Sequence, residues 1–576
     1  MADLVFGISV TYDNILTYKF NVLPHRQMPL NLNRTKLNGV LLKTQNTILS
    51  AAFIIAASNG LNAVLGFLKA RLLTYYFGVS EELAVFYTAD RIPNLMYSVL
   101  IVGAVSTVFI PIFAEGLKKD KEEAYKTASA MITITLIFFL VLTLGVIFFA
   151  RPLFNLISIG KFSSLEADLG ISLMRIMMAA QILLVLGSLA TSVLQTFKYF
   201  LVAAIAPLAY SAGMILGIIF LSQRYGIYAP AIGVAIGAAL HFGLQLPTLI
   251  KTGFNFTPIL SFKDRGLRRM AGLVPPRIIS VLLANLIQVI NNSLAIMVST
   301  SSVIYLKFAL QLQSFPVSLF GVSLGAASLP ILSTQSEKSD FGKFKETFTT
   351  SLLQMLYLVL PLSMILLVLR GPVVRIVYGV SNFPWEATLK TSYTLAFFSI
   401  SIFAQSTNYL LTRAFYALKD TKTPVIISIA TTILNVVLSV FFITRLQFGV
   451  WAVALSFSIT SLIDMVALFY LLGEKLGGFE MEKLLVPFTK ISYATLIMGF
   501  ALYVPMKLLD TYIFDTTRTI NLLGVVASAG LLGIAVYFFV TTRMRVAEVD
   551  LFYKLIRKLT PIKKGVPFTP AEDKVV

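Results

Sequence analysis

Long apolar runs separated by short polar connections recur along the chain from residue 48 to residue 542. They fall near 48–77, 83–115, 125–150, 167–195, 199–222, 228–250, 270–298, 303–334, 346–369, 388–417, 424–444, 449–473, 486–509 and 520–542. Each is long enough to cross a ~30 Å hydrocarbon core as a helix rising ~1.5 Å per residue. None alternates, and all exceed the ~9–11 residues of a barrel strand. The pattern predicts an all-α polytopic membrane protein of about fourteen transmembrane helices.

One run breaks the apolar pattern. Phe86–Glu115 carries Asp90 and Arg91 near one end, Pro93 and Pro111 inside, and Glu115 at the other end. At helical spacing Tyr87, Arg91, Asn94 and Ser98 share one face. A helix facing lipid does not tolerate such a stripe, so it is expected to line a water-filled, cationic chamber open to the outside.

Composition agrees with the membrane reading: 57% of residues are hydrophobic and 13% charged, against roughly 25% charged in soluble domains. The net charge of +20 is expected to hold connections against anionic lipid rather than bind nucleic acid. Cysteine is absent and only two histidines, His25 and His241, are present, so thiolate sites are excluded and no metal centre is expected. Lys and Arg concentrate in the N-terminus, 118–126, 251–277, 338–345 and the C-terminal tail, which makes that side cytoplasmic and places both termini there. Residues 1–47 lack the pattern of a cleavable leader and are expected to form a cytoplasmic extension.

The chain also repeats itself. Pro111 and Arg151 stand 40 residues apart, as do Pro330 and Arg370, and Tyr225–Ala229 resembles Phe448–Ala452. Both halves start on the same side, so they are parallel repeats. The expected domains are an N lobe at 48–250 (spans 1–6), a cytoplasmic linker at 251–269 and a C lobe at 270–473 (spans 7–12). Spans 13 and 14 at 474–542 and a cytoplasmic tail at 543–576 complete the chain.

The stripe on span 2 has a copy on span 8: Lys307, Gln311, Ser314 and Ser318, each 220 residues on. Span 1 carries Asn59, Asn62, Gly66 and Lys69; span 7 answers with Asn285 and Gln288. Lys69, Arg91, Lys307 and Arg175 all fall in the outer half of their helices. A buried Lys or Arg costs ~2.5–3.5 kcal/mol near the membrane centre, and Asp90 is the only carboxylate at that depth. These four cations are therefore the candidate anion-binding set. Asn59, Asn62, Asn94, Ser98, Asn285, Gln288, Gln311 and Ser314 are the candidate polar lining. Arg71, about 200° around the helix from Lys69 at ~3.6 residues per turn, is expected to snorkel outward. Asp464, mid-span in span 12, is a candidate for ion coupling. No Walker loop, HExxH or Ser/His/Asp arrangement occurs, so no enzyme activity is expected.

Five stretches carry a family resemblance: VLGFLKARLLTYYFG (64–78), ADRIPNLMYSVLIVGAVSTVFIPIFAE (89–115), PRIISVLLANLIQVINNSLA (276–295), FPVSLFGVSLGAASLPILS (315–333) and RAFYALKDTKTPV (413–425). Through them the chain resembles the MurJ (MviN-type) lipid II flippase family of the multidrug/oligosaccharidyl-lipid/polysaccharide exporter superfamily. The resemblance implies two lobes around a central cavity and two last helices forming a groove for a lipid tail. It also implies export of undecaprenyl-diphosphate-linked peptidoglycan precursor by alternating access in the cell inner membrane, with cavity cations gripping the diphosphate. Lys69 stands where the family has an arginine; Ala63, Tyr97 and Gln311 stand where well-studied members have three more. Asn291 and Ser439 stand where some members carry acidic sodium ligands, and Asn435 matches a polar one. These three join Asp464 as candidates for coupling to a monovalent cation or to the membrane potential, with no other cofactor implied. Cell-wall synthesis proteins are expected partners. The alternatives are a flippase for another polyprenyl-linked oligosaccharide and a multidrug exporter of the same superfamily; a basic cavity disfavours the cationic substrates of the latter.

Overall fold

A computed structural model describes residues 48–260, 265–515 and 518–550. The expected extension at 1–47 and most of the tail lie outside the described residues. The first half holds α1 (Ile48–Phe77), α2 (Glu81–Ala89), α3 (Arg91–Tyr97), a π-helical stretch at Ser98–Val105, α4 (Ser106–Lys119), α5 (Lys121–Phe148), α6 (Ala150–Ser158), α7 (Ser164–Thr196), α8 (Phe200–Tyr225), α9 (Tyr228–Gly243) and α10 (Leu246–Lys251). The second half holds α11 (Arg265–Val298), α12 (Ser302–Pro316), a second π-helical stretch at Val317–Val322, α13 (Ser323–Glu337), α14 (Phe341–Val368), α15 (Arg370–Tyr378), α16 (Trp385–Ala417), α17 (Lys422–Thr444) and α18 (Trp451–Leu476). The chain closes with α19 (Met481–Tyr512) and α20 (Thr519–Arg543).

Helix occupies all fourteen expected positions, and no strand occurs among the described residues. Ten helices among those residues are long and apolar enough to cross a membrane. Several helices extend three to five residues beyond the apolar runs, because polar caps end them where hydropathy has already fallen. Ser163 and Glu166 form a reciprocal capping box at the start of α7, each satisfying a backbone N–H that the first turn leaves open.

The duplication is visible in local geometry. Asp120 caps α5 and Asp340 caps α14, each accepting backbone N–H bonds. Phe149 and Leu369 share one conformation, φ −90° and ψ 18°, and turn the chain from α5 into α6 and from α14 into α15. These short amphipathic helices were not foreseen, since nine residues are too few to register as a membrane run. Both π-helical stretches fall at matching places, one in the second span of each half. In the C-lobe copy the stretch follows Pro316, which has no N–H to give the Leu312 carbonyl and so loosens the α-helical ladder.

Each lobe is built around one buried helix, α7 in the first and α16 in the second. Around α7 pack α2, α4, α5, α8 and α9; around α16 pack α12, α13, α14 and α18. The last two helices pack on each other, α19 resting against α14 and α20 against α15. Leu502, Met498 and Tyr537 form the core of that attachment.

Candidate functional site

The lobes meet near the end away from the basic loops. Pro93 cannot donate to the Ala89 carbonyl, and the second span breaks there into α2 and α3. Asp90 sits at the break, where its carbonyl accepts the Asn94 side-chain amide at 3.0 Å. Arg91 opens α3, and its Nε donates to Asn292 Oδ1 on α11 at 3.1 Å, a buried bond between the lobes. Lys307 of α12 comes across from the C lobe, its Nζ 6.0 Å from the Tyr87 ring centre. Lys69, half-buried on α1, lies close enough to Asp90 and Lys307 for direct electrostatic interaction, and Arg91 close enough to both Asp90 and Lys307. No carboxylate lies within 4.0 Å of Lys69, Arg91 or Lys307 among the described residues. Three cations from two lobes thus share one acidic neighbour at longer range. Such a cluster attracts an anion.

Arg175 is not part of it. It is exposed on α7, where its Nε donates to the Ile147 carbonyl at the end of α5, 3.2 Å away. Helix phase puts its side chain on the outer face of α7 despite its matching depth. Arg71 differs from expectation in the opposite sense. It points between the lobes, with Nη1 donating to the carbonyls of Ile376 (2.6 Å) and Val377 (3.3 Å) at the end of α15. Asn382 adds a second bond in the same place, its Nδ2 donating to Tyr75 O at 2.8 Å. Gly78, with φ +61°, lets the chain turn against Asn382; a Cβ there would lie 2.9 Å from the Asn382 carbonyl oxygen. Tyr378 stacks on Phe308 at 4.1 Å and donates to its carbonyl at 3.2 Å. This latch ties the two lobes together at the end away from the basic loops, the end from which the chamber is expected to open. A polar stripe reports that a surface is wet, and it carries no record of where the lobes are tied.

Toward the basic end the polar lining is mixed. Asn59 on α1, Asn94 on α3, Gln288 on α11 and Ser314 on α12 are exposed, while Ser98 and Asn285 are partly covered. Asn62 turns into the N lobe and accepts from Ser211 Oγ at 2.7 Å. Asn285 and Ser314 bond to carbonyls of their own helices. Gln311 reaches the gap left by Gly66, 3.5 Å from where a Cβ would stand, and Phe67 meets Phe315 edge-on at 6.2 Å. On the other seam α11 runs along the first π-helical stretch, and Arg269 pairs with Glu115 at 2.7 Å near its basic end.

The four candidates for ion coupling fall on three helices that pack together, α11, α17 and α18. Asn435 and Ser439 are buried on α17, and neither the Asn435 amide nor the Ser439 hydroxyl finds a partner among the described residues. Asn291 of the adjacent α11 is buried with its Oδ1 also unpaired. One turn away, Thr431 donates to Asp464 Oδ1 at 3.4 Å. The set is oxygen-rich and holds one carboxylate. Orphaned buried amide and hydroxyl groups of this kind cost about 1–3 kcal/mol each unless something fills the space between them.

Sequence reasoning missed the latch. The clue lay in Arg71 itself, an unpaired guanidinium near a span end, which can bond main-chain carbonyls as readily as water.

Comparison with known proteins bears on the whole chain. A family model described as "Lipid II flippase MurJ" matches residues 73–535. A probable lipid II flippase MurJ of Borreliella burgdorferi is 24% identical over 493 residues, covering 86% of this chain and 96% of the relative. Lipid II flippase MurJ of Burkholderia cenocepacia is 29% identical over 383 residues, 65% of this chain and 74% of the relative. Among solved structures, a lipid II flippase MurJ in an inward closed conformation superposes with a TM-score of 0.71 at 26% identity, covering 88% of this chain and all of the other. An inward-facing multidrug resistance MATE family transporter shares the fold at a TM-score of 0.62 and 14% identity, covering 72% and 94%. With the family model spanning most of the sequence and the two lobes, the broken second span and the last helix pair all in place, this multi-pass membrane protein belongs to the MurJ family of lipid II flippases.

Proposed function

We propose that this chain translocates lipid II, the undecaprenyl-diphosphate-linked peptidoglycan precursor, from the cytoplasmic to the outer leaflet of the inner membrane by alternating access. One observation carries the reading: Lys69 and Arg91 from one lobe and Lys307 from the other converge with no carboxylate in ion-pair range among the described residues. The three cations grip the diphosphate, and Asn59, Asn94, Gln288 and Ser314 solvate the sugar–peptide part. The polyprenyl tail stays in the bilayer beside α19 and α20. Both termini lie in the cytoplasm, and cell-wall synthesis proteins take the exported lipid.

Two sources of coupling fit these residues. Membrane potential acts on the cationic cluster at ~2.3 kcal/mol per charge per 100 mV and biases the return of the empty carrier. Asn291, Asn435, Ser439 and Asp464 supply the oxygens that would hold a monovalent cation.

The test is genetic. In a strain depleted of its own flippase, the double variant Lys69→Ala, Lys307→Ala should insert normally and abolish growth rescue. Full rescue by that variant rejects the assignment.

A further inference from the structure

On the outer side of the C lobe, a separate cleft of about 380 Å³ lies between the end of α15, the start of α16 and the start of α20. Arg375, Ser381 and Trp385 line it together with Thr519 and Leu522. Arg375 is half-buried and committed to one bond, Nη1 to the Phe383 carbonyl at 3.2 Å. A guanidinium has five N–H donors, and no carboxylate lies within 4.0 Å of this one among the described residues. The nearest acid in sequence, Glu386, is already held by Lys390 at 2.7 Å. Gly379 leaves room for the arginine to pass: a Cβ there would lie 2.2 Å from the Arg375 carbonyl oxygen and 2.9 Å from its Cδ.

The surroundings select the ligand. Trp385 is 63% exposed at the rim, in the position where indole rings sit at a membrane–water boundary. Beside the cleft, Ile520 and Leu523 of α20 and Ile513 after α19 expose apolar side chains along the path an acyl or prenyl chain would take. Neither Pro384 at the start of α16 nor Arg518 at the start of α20 caps its helix with a side chain, so backbone N–H groups of two long helices add to the positive field.

We propose that this cleft binds the phosphate of a membrane lipid in the outer leaflet, with Arg375 as the anchoring cation and the lipid chain lying along α20. The shared chemistry is a lipid phosphate; its source is either a bulk anionic phospholipid or a polyprenyl diphosphate. The site is distinct from the central chamber and does not depend on what that chamber carries. It shares the segment 376–382 with the outer latch, so an occupant sits on the stretch of chain that ties the lobes together.

Native mass spectrometry of the full chain would count bound lipid in three arms: phosphatidylglycerol, undecaprenyl diphosphate and uncharged diacylglycerol. Measurements use a Lys69→Ala, Lys307→Ala background so that the central cations do not contribute. Arg375→Ala should weaken the true ligand about tenfold or more, as loss of a charge-assisted hydrogen bond does. Thr519→Glu places a carboxylate at the first turn of α20, where it suits the helix and fills the cleft; it should give a similar loss with folding intact. The arm that responds identifies the source. Unchanged binding of both phosphate lipids in both variants, or diacylglycerol binding as tight as either, overturns the proposal.

Discussion

The helix pairs α8–α9 and α17–α18 are copies of one ancestral hairpin, and they have been filled in opposite ways. In the N lobe Gly213 faces Gly237 and Gly217 faces Gly233, so closely that an added Cβ would stand 2.5 Å and 2.4 Å from the opposing Cα atoms. The backbones touch and nothing fits between them. About 222 residues on, Gly213 and Gly217 become Asn435 and Ser439, while Gly233 and Gly237 become Ser456 and Thr460. There the helices carry buried polar side chains, two of them without partners among the described residues. Small residues let helices approach in a membrane through packing alone, which makes the first hairpin a rigid wall. The second has given up that packing for polar groups that have not satisfied one another. Stability was kept in one lobe and spent in the other.

Breaking the wall should have the largest effect. Gly217→Leu has no room to relax, because the contact is main chain; a loss of about 3 kcal/mol or more is expected, seen as failure to recover monodisperse protein in detergent. Transplanting the wall comes next: Asn435→Gly with Ser439→Gly should leave the protein folded yet remove any sodium dependence of lipid II export in vesicles. If export and its ion dependence are unchanged, the polar filling has no functional role. A single Asn435→Leu should be neutral or stabilising by about 1 kcal/mol in thermal unfolding, since it removes an unpaired amide.

The smallest effect concerns the turns entering these hairpins. In the C lobe Asp420 accepts the backbone N–H groups of Lys422 and Thr423 and the Thr423 hydroxyl, and pairs with Lys475. In the N lobe Tyr199 occupies the matching place and makes no side-chain cap. Partial burial opposes the charge on Asp420, but the bonds from Lys475 and Thr423 outweigh it and hold the carboxyl well below its ordinary 3.8. A depressed folded value contributes stability above the unfolded value and loses it as pH falls below about 4. Asp420→Asn should cost about 1 kcal/mol at pH 7 and flatten the acid side of the stability profile, whereas Tyr199→Phe should change neither.

Which of these features could be read from the amino acids alone follows from their physics. The span positions, the duplication and the convergence of Lys69, Arg91 and Lys307 are encoded in hydropathy and spacing, which act locally. Asp420 lies inside the stretch 413–425 that carries the family resemblance, but its capping role emerges only once the backbone N–H groups it accepts are placed. The latch was not legible, because Arg71 bonds carbonyls of Ile376 and Val377, and carbonyls are the same at every position. Arg175 failed for a related reason: depth along a helix is countable, but the direction a side chain faces depends on which neighbours pack against it. The glycine wall was present as small residues at i and i+4 in both helices, a pattern that gains meaning only once the partner helix is known.

The latch carries a lesson about heredity. Because Arg71 reads peptide oxygens, mutations can rewrite the side chains at 376 and 377 without ever losing its bonds, while a single codon change at 71 removes them. Asn382 is the second lobe's counterpart, its side chain holding the Tyr75 carbonyl, so each lobe keeps one side chain that grips the other's main chain while the residues gripped are free to drift.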